Sequence, residues 1–353
     1  MSEAISILSN KGPYQVQFAS SVTAVVSQIP IDKKNFFIID QKVSQLYGAQ
    51  FAEFRTQTVS INANETTKSL HSLTEIISNL LEIGMRNGDR LIAVGGGITQ
   101  DITAFLASVL YRGVAWSFIP TTLLAQADSC IGSKSSINVA GYKNLLGSFC
   151  PPEKIWIATD FLNTLKKEDL HSGIGEIIKV HIIDSYESFK SVERDYPQFF
   201  TQPELLKSYI EKSLNIKKKF IELDEFDKNV RNILNYGHSF GHAIESATNF
   251  AVPHGIAVGI GMDMANYTAY RLGRWSKEQY LKYHPLLKQN SIQFYNETVD
   301  FDIFIAAIAN DKKNSNQHLN LILPNSEQRL EKTAVVNGPE FQNICREFLN
   351  DRK

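Results

Sequence analysis

Hydrophobic positions follow two regimes along this chain. Up to about residue 160, short apolar runs alternate with amphipathic or small-residue stretches; beyond about 165, apolar positions recur at helical spacing with little interruption. Residues 13–25 alternate and then turn apolar, as a strand leading into a helix does. Residues 34–40 (KNFFIID), 90–94 (RLIAV), 114–119 and 154–159 (KIWIAT) are short apolar runs and read as strands. Residues 64–85 read as a loop followed by an amphipathic helix. Strands alternating with helices predict a mostly parallel sheet. The second regime predicts helices over 166–184, 186–195, 203–223, 229–249, 254–273, 276–290 and 340–351, with one β-like run at 319–323. The pattern therefore predicts an α/β domain over 1–165 followed by an all-α domain over 166–353.

The most concentrated chemistry lies in 231–245, RNILNYGHSFGHAIE. Placed on one continuous helix at ~100° per residue, Arg231, Asn235, His238, His242 and Glu245 share an arc about 80° wide. Their spacing of 4, 3, 4, 3 is one helical face. Ile233, Leu234, Phe240 and Ile244 fill the other faces, so the helix is apolar enough to be buried. A buried polar stripe is costly unless it meets partners or a ligand. Gly237 and Gly241 each cost about 1 kcal/mol relative to Ala, which points to something approaching the backbone closely. A solvated face, or histidines satisfied inside a core, would give the same stripe.

Other segments add candidates. Glu176 and Lys179 are three apart on helix 166–184, flanked by Ile174, Ile177, Ile178 and Val180, so the carboxylate is expected to be buried and paired. His254 opens the next long helix after Pro253. Glu176, His238 and His254 thus come from three helices, and one carboxylate with two imidazoles suits a divalent transition metal with a position left for substrate. On spacing alone His242 is also a candidate ligand, because histidines four apart share a face. In the first half, strand 90–94 runs into Gly95, Gly96 and Gly97 and then a helix. That order suits a phosphate, although an ordinary tight turn has it too. Asp40 either meets a ribose at a strand end or initiates a turn. The polar stretch 126–144 holds Lys134, Lys143 and Asn144, which suit an anion; a solvated loop is the alternative.

Composition narrows the function classes. Of 353 residues 43% are hydrophobic and 21% charged, the range of a soluble globular protein, and the length favours two cores. A formal net charge of −1 argues against general nucleic-acid or membrane-surface binding. Three scattered cysteines without a CxxC suggest a reducing compartment. No signal-peptide pattern or membrane-length apolar run is seen, so a cytoplasmic protein is expected.

Seven motifs occur in order: GGGITQD, LYRG, IPTTLLAQADS, YKNLLG, GIGEIIK, NYGHSFGHAIE and PHG. Together they resemble the 3-dehydroquinate synthase family of sugar phosphate cyclases. The resemblance implies a Rossmann-like NAD domain followed by a helical domain holding a divalent metal, zinc first and cobalt as the alternative. It implies Glu176, His238 and His254 as metal ligands and moves His242 to the substrate phosphate. Asp40, Glu65, Lys68, Gly95, Gly96, Gly97, Asp101, Thr121, Thr122, Asp128, Lys143, Thr164 and Leu165 match positions around NAD. Arg112, Lys134, Asn144, Lys179, Lys217, Arg231 and Asn235 match substrate-binding positions, and Lys312 or Lys313 matches a late substrate lysine. The family position of Arg112 reaches the neighbouring subunit, so a homodimer is implied.

The chain also bears on substrate. Lys217, Arg231 and Asn235 are all present, and a Lys and an Arg suit a carboxylate. That favours a sugar acid phosphate, 3-deoxy-arabino-heptulosonate 7-phosphate. The implied chemistry is a cycle in which NAD+ takes and returns a hydride, phosphate leaves and a carbocycle closes. Departures from the family pattern at Gly132-Ser133-Lys134-Ser135-Ser136, at Tyr142, at Ile256 and after Lys313 touch the substrate side. They keep open a specialised cyclase of secondary or polysaccharide metabolism. A metal-dependent polyol dehydrogenase and a non-catalytic binding subunit are the remaining rivals.

Overall fold

The computed structural model describes residues 4–140, 142–310, 318–327 and 329–351. It divides into two compact units, residues 1–165 with 210–226, and residues 166–209 with 227–353.

The first unit contains β1 (Ile5–Ile7), β2 (Tyr14–Phe18), β3 (Asn35–Asp40), β4 (Thr58–Ile61), β5 (Arg90–Gly95), β6 (Ala115–Pro120), β7 (Lys134–Val139), β8 (Tyr142–Phe149) and β9 (Lys154–Ile157). Its helices are α1 (Val22–Val26), α2 (Gln41–Tyr47), α3 (Leu70–Glu82) and α4 (Gly97–Val109). Seven strands form one sheet in the order β1-β2-β9-β6-β5-β3-β4, and only the β1–β2 pair is antiparallel. Phe36, Phe37, Ile38 and Ile39 of β3 and Leu91, Ile92, Ala93 and Val94 of β5 are buried without alternation, because helices cover both faces of a parallel sheet. In α3, Leu73, Ile76 and Leu80 are buried at helical spacing, and Ser69 caps the helix by accepting from the Ser72 N–H. The sheet grows to one side with β4 and to the other with β5, so its topological switch lies between β3 and β5. The carboxyl ends there are Asp40 and Gly95, the place where parallel sheets bind ligands.

The polar stretch expected as a loop is instead an antiparallel ribbon, β7 with β8, bulged between Ile137 and Val139. Its strands lie outside the main sheet and β8 is largely exposed, so no apolar alternation marked them. A one-point division at 165 also needs amendment. Residues 210–226 belong with the first unit because their side chains bond to it: Lys217 Nζ donates to the Asp128 carbonyl (2.6 Å), Glu222 accepts from Leu8 N (2.9 Å) and Glu225 from Asn10 N (2.7 Å).

The second unit contains α5 (Lys167–Asp184), α6 (Tyr186–Asp195), the start of α7 (Pro203–Leu223), α8 (His238–Ala247), α9 (His254–Arg271), α10 (Lys277–Leu281), α11 (His284–Ser291), α12 (Phe301–Ala309) and α13 (Pro339–Asp351). It is helical apart from a hairpin of β10 (His318–Pro324) and β11 (Leu330–Val336). The apolar run at 319–323 is therefore a strand with a partner. That partner, LEKTAVV, is mostly solvated and carried no strand pattern. The sequence reading also missed α12: FDIFIAAIA is apolar on nearly every side and shows no period.

Helix α9 is the axis of this unit and packs against α5, α8, α11 and α13. Small residues allow the approach. A Cβ on Gly255 would lie 1.9 Å from the Ser172 carbonyl oxygen, and one on Gly175 would lie 2.1 Å from the Gly255 carbonyl oxygen. The Gly255 N–H donates to Ser172 Oγ at 2.9 Å, tying the start of α9 to α5.

The helix expected over 229–249 is broken. Residues 230–235 form a 3-10 turn, Tyr236 is extended, Gly237 takes a left-handed φ of 77°, and α8 starts at His238. At Gly237 any side chain would be strained and would meet the Val258 carbonyl oxygen at 2.7 Å. At Gly241 a Cβ would lie 3.0 Å from Val258 Cα. What approaches these glycines is the backbone of α9.

Candidate functional site

In the second unit, α5, α8 and α9 bring together Glu176, His238 and His254. One ligand atom from each lies within 4.8 Å of the others. Glu176 is 1% exposed and its Oε1 lies 3.6 Å from His254 Nε2. Around a tetrahedral zinc with bonds of about 2.1 Å, neighbouring donors sit roughly 3.4 Å apart, so this donor set fits a divalent ion with little movement. The rings are oriented for it. His238 Nδ1 lies 3.2 Å from the Tyr236 carbonyl oxygen, and His254 Nδ1 lies 3.3 Å from Glu245 Oε2. Burial holds His238 well below the ordinary imidazole value, and the charges of Lys179, His254 and His242 add to the effect. A neutral imidazole is the form that ligates. Burial also opposes charge on His254, but the hydrogen bond and charge of Glu245, with the charge of Glu176, outweigh it and raise the value.

Lys179, 2% exposed, forms an ion pair with Glu176 one turn away. A buried carboxylate and ammonium would each be costly alone, and pairing offsets much of that cost. His242 projects one turn beyond His238, with ring centroids 5.5 Å apart, and is exposed. His242 and Glu245 form a second close group with His254, also within 4.8 Å. Arg231 is buried at 3% exposure in the 3-10 turn, and Asn235 ends that turn with its Nδ2 donating to the Asn232 carbonyl (3.1 Å). The break at Tyr236–Gly237 separates these two residues from α8, so the five residues 231–245 do not share one helical face.

The remaining candidates lie in the first unit. Asp40 ends β3 and caps α2 by accepting from the Lys42 N–H at 2.8 Å; burial raises its carboxyl above the usual value. Gly95 ends β5, Gly96 precedes α4 without a side-chain cap, and Gly97 opens the helix. A Cβ on Gly95 would lie 2.3 Å from Thr99 Oγ1, and one on Gly96 would lie 3.0 Å from Thr122 Cγ2. The Thr121 N–H donates to the Gly95 carbonyl at 2.9 Å, which sets Thr121 and Thr122 beside the glycine turn.

A polar network ties the ribbon to this turn. Lys68 Nζ pairs with Asp101 Oδ2 (2.5 Å) and donates to Asn144 Oδ1 (2.8 Å). Ser136 Oγ lies 2.9 Å from Asp101 Oδ2 and 2.8 Å from Asn144 Oδ1, with one proton to donate between them. Burial raises Asp101 above the usual carboxylate value, against the opposing pull of Lys68 and Ser136. Glu65 accepts from Asn138 Nδ2 (2.9 Å) and lies 3.6 Å from Lys143 Nζ. Lys134, the first residue of β7, is exposed. Lys217 lies 3.1 Å from Asp128 Oδ1. Thr164 shares its hydroxyl with Tyr47 (3.2 Å), and Leu165 follows it. Arg112 is exposed on the turn after α4, where Tyr111 and Arg112 both have positive φ, 51° and 71°. Lys312 and Lys313 lie outside the described residues.

The sequence suggested only a structural hydrogen bond for Glu245, and it marked Ser136 and Asn138 only as part of a dense polar stretch, without a role. The spacing of Glu245, seven residues after His238, was the available signal. For Ser136 and Asn138 the signal was the polar density of 126–144; their partners Asp101 and Glu65 are distant in the chain.

Residues 58–172 match the model of the 3-dehydroquinate synthase N-terminal region, and residues 173–314 match that of its C-terminal region. The 3-dehydroquinate synthase of Helicobacter pylori (strain G27) is 35% identical over 314 residues, covering 88% of this chain and 90% of that protein. Two solved structures share the fold. One is 2-deoxy-scyllo-inosose synthase complexed with carbaglucose-6-phosphate, NAD+ and Co2+, with TM-score 0.84 and 22% identity over 99% of this chain and 100% of that one. The other is ValA, a 2-epi-5-epi-valiolone synthase from Streptomyces hygroscopicus subsp. jinggangensis 5008 with NAD+ and Zn2+ bound. Its TM-score is 0.83 and its identity 23%, over 96% of this chain and 97% of that one. The protein is thus an enzyme of the lyase type, with a dehydroquinate synthase-like fold. The chain belongs to the 3-dehydroquinate synthase family.

Proposed function

We propose that this enzyme converts 3-deoxy-arabino-heptulosonate 7-phosphate to 3-dehydroquinate and phosphate, with NAD+ regenerated in each cycle and a divalent ion, zinc or alternatively cobalt, held by Glu176, His238 and His254. The observation that carries the reading is the grouping of that carboxylate and those two imidazoles within 4.8 Å, with buried Lys179 beside them. When bound, the ion would polarise a substrate hydroxyl and NAD+ would accept and return a hydride. Glu176 supplies the charge that offsets the ion, and His238 is kept neutral by burial and can therefore ligate. Lys179, Lys134, His242 and Asn144 are assigned to the phosphate, whose developing charge they would stabilise as it leaves. Lys217, Arg231 and Asn235 are assigned to the carboxylate, and Arg112 to the site of a second copy in a homodimer. Asp40, Gly95–Gly97, Thr121, Thr122 and the Lys68–Asp101 pair are assigned to NAD, with Glu65, Asp128, Lys143, Thr164 and Leu165 around it; the switch point between β3 and β5 supports this.

A second reading, a specialised sugar phosphate cyclase, draws on the fold shared with the inosose and valiolone synthases. The identity to the Helicobacter relative, 35% against 22%, favours the first. Purified protein incubated with NAD+, a divalent metal and each candidate sugar phosphate tests both. Phosphate release from the carboxylated seven-carbon substrate, without build-up of NADH, is expected. Steady NADH accumulation without phosphate would mark a dehydrogenase, and release only from a non-carboxylated sugar phosphate would establish the second reading.

A further inference from the structure

We infer that Glu245 is a positioning residue that fixes the tautomer and ring orientation of His254, so that its Nε2 faces Glu176 and His238. The inference rests on the metal reading above. The two ring nitrogens of His254 face two different carboxylates: Nδ1 lies 3.3 Å from Glu245 Oε2, and Nε2 lies 3.6 Å from Glu176 Oε1. A neutral imidazole carries one N–H and one lone pair. A carboxylate beside Nδ1 accepts a hydrogen bond from the Nδ1–H and keeps the proton on that nitrogen, which leaves the lone pair on Nε2, on the side of Glu176. Outer carboxylate or carbonyl acceptors of this kind orient histidine ligands and raise their basicity.

The same arrangement appears at the other imidazole. The Tyr236 carbonyl takes the Nδ1 side of His238 at 3.2 Å. Each histidine of the donor set thus has its own acceptor. His238 has a backbone carbonyl, fixed by the break before α8, and His254 has a side chain from the end of α8. Glu245 is only 14% exposed, so its charge is held for a nearby partner rather than left to solvent.

The competing role for Glu245 is ligation. With His242 and His254 it forms a second close group, and a second ion there would make Glu245 a ligand. Such an ion would need His254 to ligate through both nitrogens at once, which requires removing its remaining proton. Glu245 as hydrogen-bond acceptor makes no such demand. The structure therefore favours one ion per chain.

The test is Co2+ titration of the intact, chelator-stripped protein, followed by its visible absorption and by competition with a chromophoric chelator. Wild type, E245Q and E245A are compared, with circular dichroism to verify folding. Wild type is expected to bind one Co2+ per chain. E245A should bind 10- to 100-fold more weakly with altered visible bands, and E245Q, whose amide oxygen still accepts a hydrogen bond, should fall between them. Equal affinity in all three would overturn the role of Glu245 and leave the metal reading standing. A second equivalent bound by wild type and lost in both variants would also overturn it and make Glu245 a ligand. Failure of wild type to bind Co2+ would remove the metal reading itself, and this inference with it.

Discussion

Single residues divide the labour of the donor set, and their chemistry fixes what substitution should do. On the proposed metal site, replacing Glu176 by Gln or His238 by Ala would remove a ligand rather than its support. Metal affinity should then fall by more than the roughly 100-fold upper bound for losing an outer partner, measured by chelator competition. Arg231 is buried at 3% exposure and is assigned to the substrate carboxylate in the proposed function. Arg231→Ala should lower kcat/KM for the carboxylated substrate by about 30-fold or more, the equivalent of losing about 2 kcal/mol of a buried charge contact. A non-carboxylated analogue should lose far less, and equal losses would refute the carboxylate assignment. The cysteines should be inert. Burial pushes the Cys130 thiol up to about 12 and raises Cys150 and Cys345 as well. A thiol at 12 is about one part in ten thousand thiolate at pH 8, rising tenfold per pH unit, so a disulfide reagent should react slowly with native protein and quickly with three thiols after denaturation. At this scale the sequence displayed residue types well. It did not display which nitrogen of His254 faces which carboxylate, because that depends on contacts between α8 and α9.

At the scale of elements, glycines decide how near the helices come. The Gly175–Gly255 and Gly237–Gly241 positions let α5 and α8 lie against α9, and this closeness brings Glu176, His238 and His254 within reach of one ion. Gly255→Ala would set a methyl group 1.9 Å from the Ser172 carbonyl and force α5 and α9 apart. A loss of about 1–3 kcal/mol in denaturant unfolding is expected, accompanied by weaker metal binding. Unchanged stability would show that the helices yield at no cost. The glycines at 237 and 241 were legible as positions of close approach, but their partner was not: it is a helix 13 or more residues further on. The apolar strands and long amphipathic helices were read from periodicity because burial on one face, or on both, leaves a period or a run. The ribbon β7–β8 was not, because its residues Ser136, Asn138 and Asn144 serve hydrogen bonds to Asp101, Glu65 and each other rather than a core. For the same reason a helix was extended across Tyr236, where propensity gives no sign of the αL turn that Gly237 makes.

At the scale of the whole molecule, no helix among the described residues is long and apolar enough to cross a membrane. The proposed homodimer is testable through Arg112, exposed on a strained turn. If Arg112 serves a partner's site, Arg112→Ala and Lys179→Ala chains should each be inactive alone. Mixed under subunit exchange, they should recover about a quarter of wild-type activity, because half of the dimers are hybrid and each hybrid keeps one intact site. No recovery would assign Arg112 to its own chain. The path of the chain carries a further consequence for inheritance and engineering. Because residues 210–226 return to the first unit, neither half of the sequence is a transferable module. A crossover or gene fusion made at 165/166 would exchange Lys217, Glu222 and Glu225 along with the helical half and strand their partners Asp128, Leu8 and Asn10. Recombinants between distant relatives should therefore survive only where the graft carries both 1–165 and 210–226 from one parent, a linkage invisible to any scheme that cuts the gene at a single point.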